Sequence, residues 1–257
     1  MVKINKLAVT GANGMVGKHF TSLLELENIE YINIDRKKWD LSKAKSIKEL
    51  DNMLSGVDAF VHIGAAVPSS NNPIGNEVLF NTNVHSCVSI AEWALRSDTP
   101  VVYISGSTVY EDPHSKDIKE EDAKTTNNFG GFYGFSKYMG EQVFSHYIHK
   151  GLKTIIIRPS SIYGHGLSES QLLMTFLRDA MSDKNLNVQH PKDNKVNFVH
   201  ASDVATSILL SLQSEAWGIY NIAAKECRTI EKLADICIEM VGSGMKNVSD
   251  SQSSIEP

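Results

Sequence analysis

Thr10-Gly11-Ala12-Asn13-Gly14-Met15-Val16-Gly17 follows the apolar run Lys6 to Thr10. It opens a stretch, Gly14 to Leu26, whose apolar residues recur at three- and four-residue steps. A strand that turns sharply into a helix needs glycines at this point. They permit positive φ and let a pyrophosphate approach the backbone N–H groups at the helix start. The spacing is G-x-x-G-x-x-G rather than G-x-G-x-x-G, and a turn with packing glycines is the alternative reading. A second strand, Glu30 to Ile34, ends at Asp35, where a carboxylate can accept hydrogen bonds from the adenosine ribose hydroxyls of NAD. Arg36 beside it suits the 2′-phosphate of NADP, so NADP stays possible. The plainer roles are a loop cap for Asp35 and a solvated charge for Arg36.

Outward from this segment the same rhythm repeats. Ala59 to Ile63, Val101 to Ser105 and Thr154 to Arg158 read as buried strands, and Ser42 to Leu54, Val84 to Arg96 and Tyr133 to His149 as helices between them. Parallel strands need crossover connections, so the expected fold is α/β, a doubly wound parallel sheet of Rossmann type with a small C-terminal substrate lobe. Past Gly164 the pattern loosens. Ser168 to Ser182 reads as a helix and Lys184 to Lys195 as polar, loop-rich sequence. A strand Asn197 to His200, a helix Asp203 to Leu212 and a strand Gly218 to Ala223 return to the sheet, and Gly242 to Pro257, rich in serine, reads as frayed. The expected division is a dinucleotide-binding domain of 1–163 plus 196–224 and a substrate-binding lobe of 164–195 plus 225–257.

Composition narrows the classes. With 257 residues and a net charge of -5, the chain can bury one main core and has no basic excess to suit nucleic acid. Cys87, Cys227 and Cys237 lack metal-ligand spacing, and their odd number fits a reduced compartment. The chain opens on a strand-like run, and no apolar stretch approaches the ~20 residues of a membrane-spanning helix, so a cytoplasmic protein without membrane attachment is expected. His146 and His149 stand a helical turn apart without an H-E-x-x-H pattern, and no metal site is expected. There is no G-x-S-x-G elbow for a nucleophilic serine.

Tyr133-Gly134-Phe135-Ser136-Lys137 places a phenol and an ammonium on one helix face. Free tyrosine, with a pKa of about 10, is a poor base at neutral pH, and a neighbouring cation lowers it. Lys137 is therefore expected to tune Tyr133 and to reach a cofactor ribose. Without the glycine turn upstream, an exposed tyrosine and lysine would be the better reading of this pair.

Taken together in order, these motifs resemble the extended short-chain dehydrogenase/reductase superfamily, specifically the NAD-dependent epimerase/dehydratase family, which acts largely on nucleotide sugars. Further matching segments are Asp40-Leu41, His62-Ile63-Gly64-Ala65-Ala66, Asn83-Val84, Ser105-Gly106-Ser107-Thr108-Val109-Tyr110, Arg158-Pro159-Ser160-Ser161-Ile162-Tyr163-Gly164 and Phe198-Val199-His200-Ala201-Ser202-Asp203-Val204-Ala205. The resemblance implies that Gly11, Asn13, Gly14, Met15, Val16, Gly17, Asp35, Arg36, Asp40, Leu41, Gly64, Ala65, Ala66, Asn83, Ser105, Tyr133, Lys137 and Pro159 face the cofactor. Asn83 would also support the active-site helix. Ser107, Ser161, Lys195 and His200 would face the substrate. A packed histidine is the plainer role for His62, and a helix cap for Asp203.

Departures from the pattern are equally informative. The hydroxyl that family members carry four residues before the tyrosine of the V-Y pair is replaced by Gly106, and Ser107 and Thr108 are the favoured substitutes, with Ser105 also at hand. Strand alternation through this segment would put Ser105 and Ser107 on one face and Thr108 on the other. A diphosphate-binding arginine is replaced by Val196, with Lys195 as a possible compensation, and Ser161 stands where asparagine is common. The tail that often adds a nucleotide contact is short. Three functions remain open: a nucleotide-sugar epimerase or related oxidoreductase, a 4-ketoreductase or other carbonyl reductase, and a catalytically silent dinucleotide-binding regulator. A homodimer through the helices from Val84 and Tyr133 is expected.

Overall fold

The structure is a computed structural model that describes residues 1–69, 72–112, 117–122, 124, 130–189 and 194–249. In chain order its elements are β1 (Lys6–Thr10), α1 (Met15–Leu26), β2 (Glu30–Ile34), α2 (Ile47–Met53), β3 (Ala59–His62) and α3 (Asn76–Phe80), followed by a π turn (Asn81–His85). Next come α4 (Ser86–Ser97), β4 (Val101–Ile104), a 3₁₀ turn (Ser107–Val109), α5 (Gly131–Ile148), β5 (Thr154–Pro159) and β6 (Ser161–Tyr163). The rest is α6 (Leu172–Met181), β7 (Asn185–Gln189), β8 (Lys195–Val196), β9 (Phe198–His200), α7 (Ala201–Gln213), β10 (Gly218–Ile222), β11 (Arg228–Thr229), α8 (Ile230–Val241) and β12 (Met245–Ser249).

Six strands form one sheet in the order β10-β5-β4-β3-β1-β2, every neighbouring pair parallel. Strands β3, β4 and β5 are buried along their whole length, as a sheet covered on both faces requires. Alternation divides their side chains between two cores. Leu7, Val9, Val61, Val102, Ile104, Ile155 and Ile157 pack with Val16, Phe20 and Leu24 of α1 and Val204, Ile208 and Leu212 of α7. Ala8, Phe60, Val101, Tyr103 and Ile156 pack on the other face with Leu50 of α2, Ile90 and Trp93 of α4 and Phe144 of α5. The chain crosses from one side of β1 to the other between β2 and β3, and the crevice at the carboxyl ends of β1 and β3 is where such sheets bind ligands.

Chain contacts divide the molecule into two compact units, Met1–His165 with Val199–Ala223, and Gly166–Phe198 with Ala224–Pro257. The second has its own small core of Phe176, Ala180, Leu186, Val188, Leu233, Ala234 and Cys237. Two expectations fail here. The supposed loop after Lys184 contains β7, and the supposed frayed tail contains β12, which pairs with it in parallel from Met245↔Asn185 to Ser249↔Gln189. Only Leu186 and Val188 of β7 are buried, between exposed Asn185, Asn187 and Gln189, too few apolar positions to mark a strand locally. Residues 250–257 lie outside the described residues. Helix α2 is also shorter than expected. It begins after Ser46, whose hydroxyl accepts from Glu49 N–H while the Glu49 carboxylate accepts from Ser46 N–H, a capping box that sets the start at Ile47.

Candidate active site

The turn from β1 into α1 rests on two positions that tolerate no side chain. Gly11 has φ +70, and a Cβ on it would lie 2.6 Å from the Gly64 nitrogen. A Cβ on Gly17 would lie 2.0 Å from the Gly11 carbonyl oxygen, so α1 can meet the turn only with hydrogen there. Gly14 N–H donates to Gly11 O at 2.9 Å and leads into Met15 at the start of α1. The turn forms one wall of a cleft of about 270 Å³ at the carboxyl edge of the sheet. Asn33 to Arg36 and Trp39 to Leu41 form a second wall, and Gly64, Ala65, Ala66 and Thr82 a third. Of the cleft residues anticipated from sequence, Gly11, Asn13, Gly14, Asp35, Arg36, Asp40, Leu41, Gly64, Ala65 and Ala66 line it. Val16 and Gly17 are buried behind the turn.

Several of these side chains are already engaged. Asp35 Oδ1 accepts from the N–H groups of Lys37 and Lys38, both at 3.0 Å, so the carboxylate caps its own turn while lining the cleft. Asp40 Oδ1 accepts from Ser42 Oγ at 2.8 Å and Ser42 N–H at 3.1 Å, and these bonds hold its pKa below the ordinary carboxylate value. Asn33 Nδ2 donates to Asn13 Oδ1 at 3.3 Å.

Behind the cleft, a chain of buried polar groups joins β1, β3 and α4. Thr10 Oγ1 lies 2.7 Å from His62 Nδ1 and accepts from Gly64 N–H at 3.1 Å. Ser86 Oγ lies 3.3 Å from His62 Nε2 and donates to Thr82 O at 2.6 Å. One assignment satisfies every group: Thr10 donates to Nδ1, and Nε2–H donates to Ser86. Burial, reinforced by Lys137, lowers the His62 pKa to about 3, so the imidazole stays neutral. The plain structural role read for His62 from sequence fits this placement.

Asn83, on the π turn, is the cross-link between cleft and helix. Its Oδ1 accepts from Ala66 N–H at 2.7 Å, and its Nδ2 donates to Ala66 O and Ser136 Oγ, both at 3.0 Å. Ser136 Oγ in turn donates to Tyr133 O at 2.7 Å, within the first turns of α5. Lys137 is buried, with Nζ 4.3 Å from the centre of the Tyr103 ring. Burial pushes its pKa down to about 8. The same cause pushes the half-buried Tyr133 up to about 12. This corrects the expectation that Lys137 lowers the phenol: burial alone shifts Tyr133, and the Lys137 ammonium rests on the Tyr103 ring.

The segment after β4 also departs from expectation. The strand ends at Ile104 and a 3₁₀ turn covers Ser107–Val109, so strand alternation cannot sort the hydroxyls of Ser107 and Thr108. Ser105 Oγ is buried and lacks a hydrogen-bond partner among the described residues. Farther along α5, Glu141 receives Arg158 of β5 in a two-pronged pair at 2.9 and 2.6 Å. Arg158 Nη1 also donates to Tyr110 Oη and Glu120 O, both at 2.9 Å, and Tyr110 donates to Asn221 Oδ1 of β10 at 2.7 Å. This buried network anchors the 3₁₀ turn's exit to the sheet.

Comparison with known proteins decides the family. The model of the NAD dependent epimerase/dehydratase family matches residues 7–223. The chain belongs to this family. Among curated relatives, the uncharacterized protein y4nG of Sinorhizobium fredii is 26% identical over 196 residues, 75% of this chain, which spans only 47% of y4nG. UDP-glucuronic acid decarboxylase 5 of Arabidopsis thaliana is 24% identical over 264 residues, covering 94% of this chain and 76% of that protein. dTDP-4-dehydrorhamnose reductase of Aggregatibacter actinomycetemcomitans is 26% identical over 235 residues, covering 86% and 74%. A solved dTDP-4-dehydrorhamnose reductase from Clostridium acetobutylicum superposes with a TM-score of 0.83 at 19% identity, over 98% of this chain and 86% of its own. At that identity the likeness speaks to the fold.

The remaining anticipated residues fall as follows. Pro159 ends β5, paired with Ile222. Ser161 is exposed on β6. His200 caps α7, its Nδ1 accepting from Ser202 N–H at 3.2 Å, with its ring 5.1 Å from Tyr163 and 5.2 Å from His19. It therefore takes the cap role anticipated for Asp203, which instead sits in the first turn. Lys195 lies in the second unit on β8, opposite Thr229. In that pair Val196 faces Arg228, a cation that sequence reading passed over because only the antiparallel register of β8 and β11 brings it beside residue 196. Trp39 and Thr82, which line the cleft, were also missed, since no local motif marks them; Thr10 stands in the glycine motif, but its bond to His62 was not anticipated. Among the described residues, no group of three or more His, Cys, Asp or Glu side chains could hold a metal, and no helix is long and apolar enough to cross a membrane.

Proposed function

We propose that the chain is an NAD(P)-dependent oxidoreductase or epimerase acting on a nucleotide sugar, with Tyr133 and Lys137 handling the proton. The observation that carries this reading is the Asn83 cross-link, which ties Ala66, in the wall of the glycine-turn cleft, to the first turns of the helix bearing Tyr133. Two further observations support a dinucleotide in the cleft. Gly11 to Gly14 line the cleft where the turn enters α1, a place at which backbone N–H groups can meet a phosphate, and the buried oxygens of Ser105 and Asn33 lack partners among the described residues. Gly11, Gly14 and Met15 would hold the pyrophosphate, Asp35 and Arg36 the adenosine ribose, and Lys137 the nicotinamide ribose. When bound, the nicotinamide supplies or accepts a hydride. Tyr133 gives a proton to the substrate oxygen or takes one from it, and Lys137 sets the phenol's charge environment once the ribose orders its side chain.

A second reading, a 4-ketoreductase, draws on the phenol itself. Tyr133, protonated at neutral pH like any phenol, would give its proton to the substrate carbonyl oxygen, with Lys137 beside it on the helix to steady the charge left behind. Incubating the protein with UDP-, GDP-, CDP- and dTDP-sugars, with and without NAD(H) or NADP(H), tests both. Isomerisation without net cofactor use supports the epimerase, stoichiometric oxidation of reduced cofactor supports the reductase, and inactivity throughout defeats both in favour of a silent dinucleotide-binding regulator. Replacing Tyr133 with Phe should lower kcat about 10³-fold in either enzyme. The proposed homodimer, through α4 and α5, is tested by light scattering.

A further inference from the structure

Any enzyme that moves a proton and a hydride at one carbon gains from a second donor held against the reacting oxygen, because charge develops there in the transition state. Position 106 cannot provide it, having no side chain. Its backbone is extended, with φ 177, and a Cβ built on it would meet Thr108 Oγ1 at 3.6 Å and Thr108 N at 4.0 Å. The Thr108 hydroxyl thus borders the space that a residue-106 side chain would enter. A second contact places the same residue against α5. A Cβ on Gly130 would lie 2.9 Å from Thr108 Cβ and 3.0 Å from Gly134 Cα, so the missing side chain at 130 lets Thr108 pack onto the start of the helix that bears Tyr133.

We propose that Thr108 Oγ1 donates the second hydrogen bond to the substrate oxygen served by Tyr133, in place of the hydroxyl lost at Gly106. This rests on the oxidoreductase reading above. The Thr108 proton stays on its own oxygen throughout; the proton that moves is the one exchanged between Tyr133 and the substrate oxygen. Ser105 precedes the 3₁₀ turn, whereas Thr108 lies within it.

The test compares Thr108→Val, Thr108→Ser, Gly106→Ser/Thr108→Val and Tyr133→Phe with the parent chain, using the nucleotide sugar that the panel above identifies and following NADH or NADPH binding by fluorescence. Thr108→Val should lose about 10²-fold in kcat, with KM, cofactor Kd and melting temperature nearly unchanged. Thr108→Ser should keep most of the activity, and Gly106→Ser should restore at least about tenfold to the valine variant. Parent-like kcat in Thr108→Val, or equal losses in the valine and serine variants with a weakened cofactor Kd, overturns the assignment while leaving the oxidoreductase reading intact. Full activity in Tyr133→Phe, or no turnover by the parent on the whole panel, overturns both.

Discussion

Two turns leave the carboxyl edge of the same sheet, and each contains glycine for a different reason. After β1, the absent side chains of Gly11 and Gly17 are obligatory, because a Cβ would sit 2.6 Å or 2.0 Å from backbone atoms. After β4, Gly106 is extended and, beyond residues 105 and 107, the nearest atom among the described residues to a Cβ built on it is a threonine hydroxyl at 3.6 Å, so a side chain fits against them. The first turn is therefore dictated by packing, and the second is free to vary in chemistry. A glycine shared by a motif says little until the space around it is known.

The sharpest way to break this contrast is Gly17→Ala. The added methyl cannot clear the Gly11 carbonyl without moving α1, and the variant should lose about 3 kcal/mol or more of stability and bind NADH at least about 100-fold more weakly. Normal NADH fluorescence titration and melting would show the first turn to be no more constrained than the second. A smaller effect tests the polar chain behind it. The unfolded His62 imidazole takes up a proton below about pH 6.5, whereas the folded one does so only near 3, so the unfolded state binds more protons as pH falls through that window. Stability should therefore drop by about 2 kcal/mol between pH 8 and pH 5 from this group alone. Urea midpoints of the parent and His62→Asn across this range check it: equal slopes would mean that the imidazole is not held neutral between Thr10 and Ser86. The smallest effect belongs to the permissive turn. Gly106→Ala should change the melting temperature by an amount equivalent to no more than about 0.5 kcal/mol, and a loss of several kcal/mol would erase the distinction.

How much was legible depended on the range of the interactions. The glycine turn, the strand runs and the Tyr133–Lys137 spacing are local, and reading them in sequence located the sheet and the helix that Asn83 ties to the cleft wall. The Thr10–His62–Ser86 chain was not legible, because it depends on the parallel register Thr10↔His62, which links residues 52 positions apart. Strand β7 was hidden for a similar reason: its partner β12 lies 60 positions away, and its own polar alternation carries only two buried side chains. The electrostatics of Tyr133 failed for another cause. Spacing on a helix fixes which residues share a face, but the pKa is set by what covers that face, and here burial raises the phenol and lowers the ammonium. Arg228 shows the remaining limit, since a cation brought alongside Val196 by an antiparallel pair leaves no trace in the spacing of either segment.

The π turn at Asn81–His85 has a consequence for evolution by length change. Its wider coil puts Asn83 against Ala66 while Ser86, three positions on, still meets His62. Deleting one residue would tighten the coil and rotate one of these two side chains by about 100° relative to the other, the angular step of a helical residue. A single-codon gap there would uncouple the cleft wall from the buried imidazole.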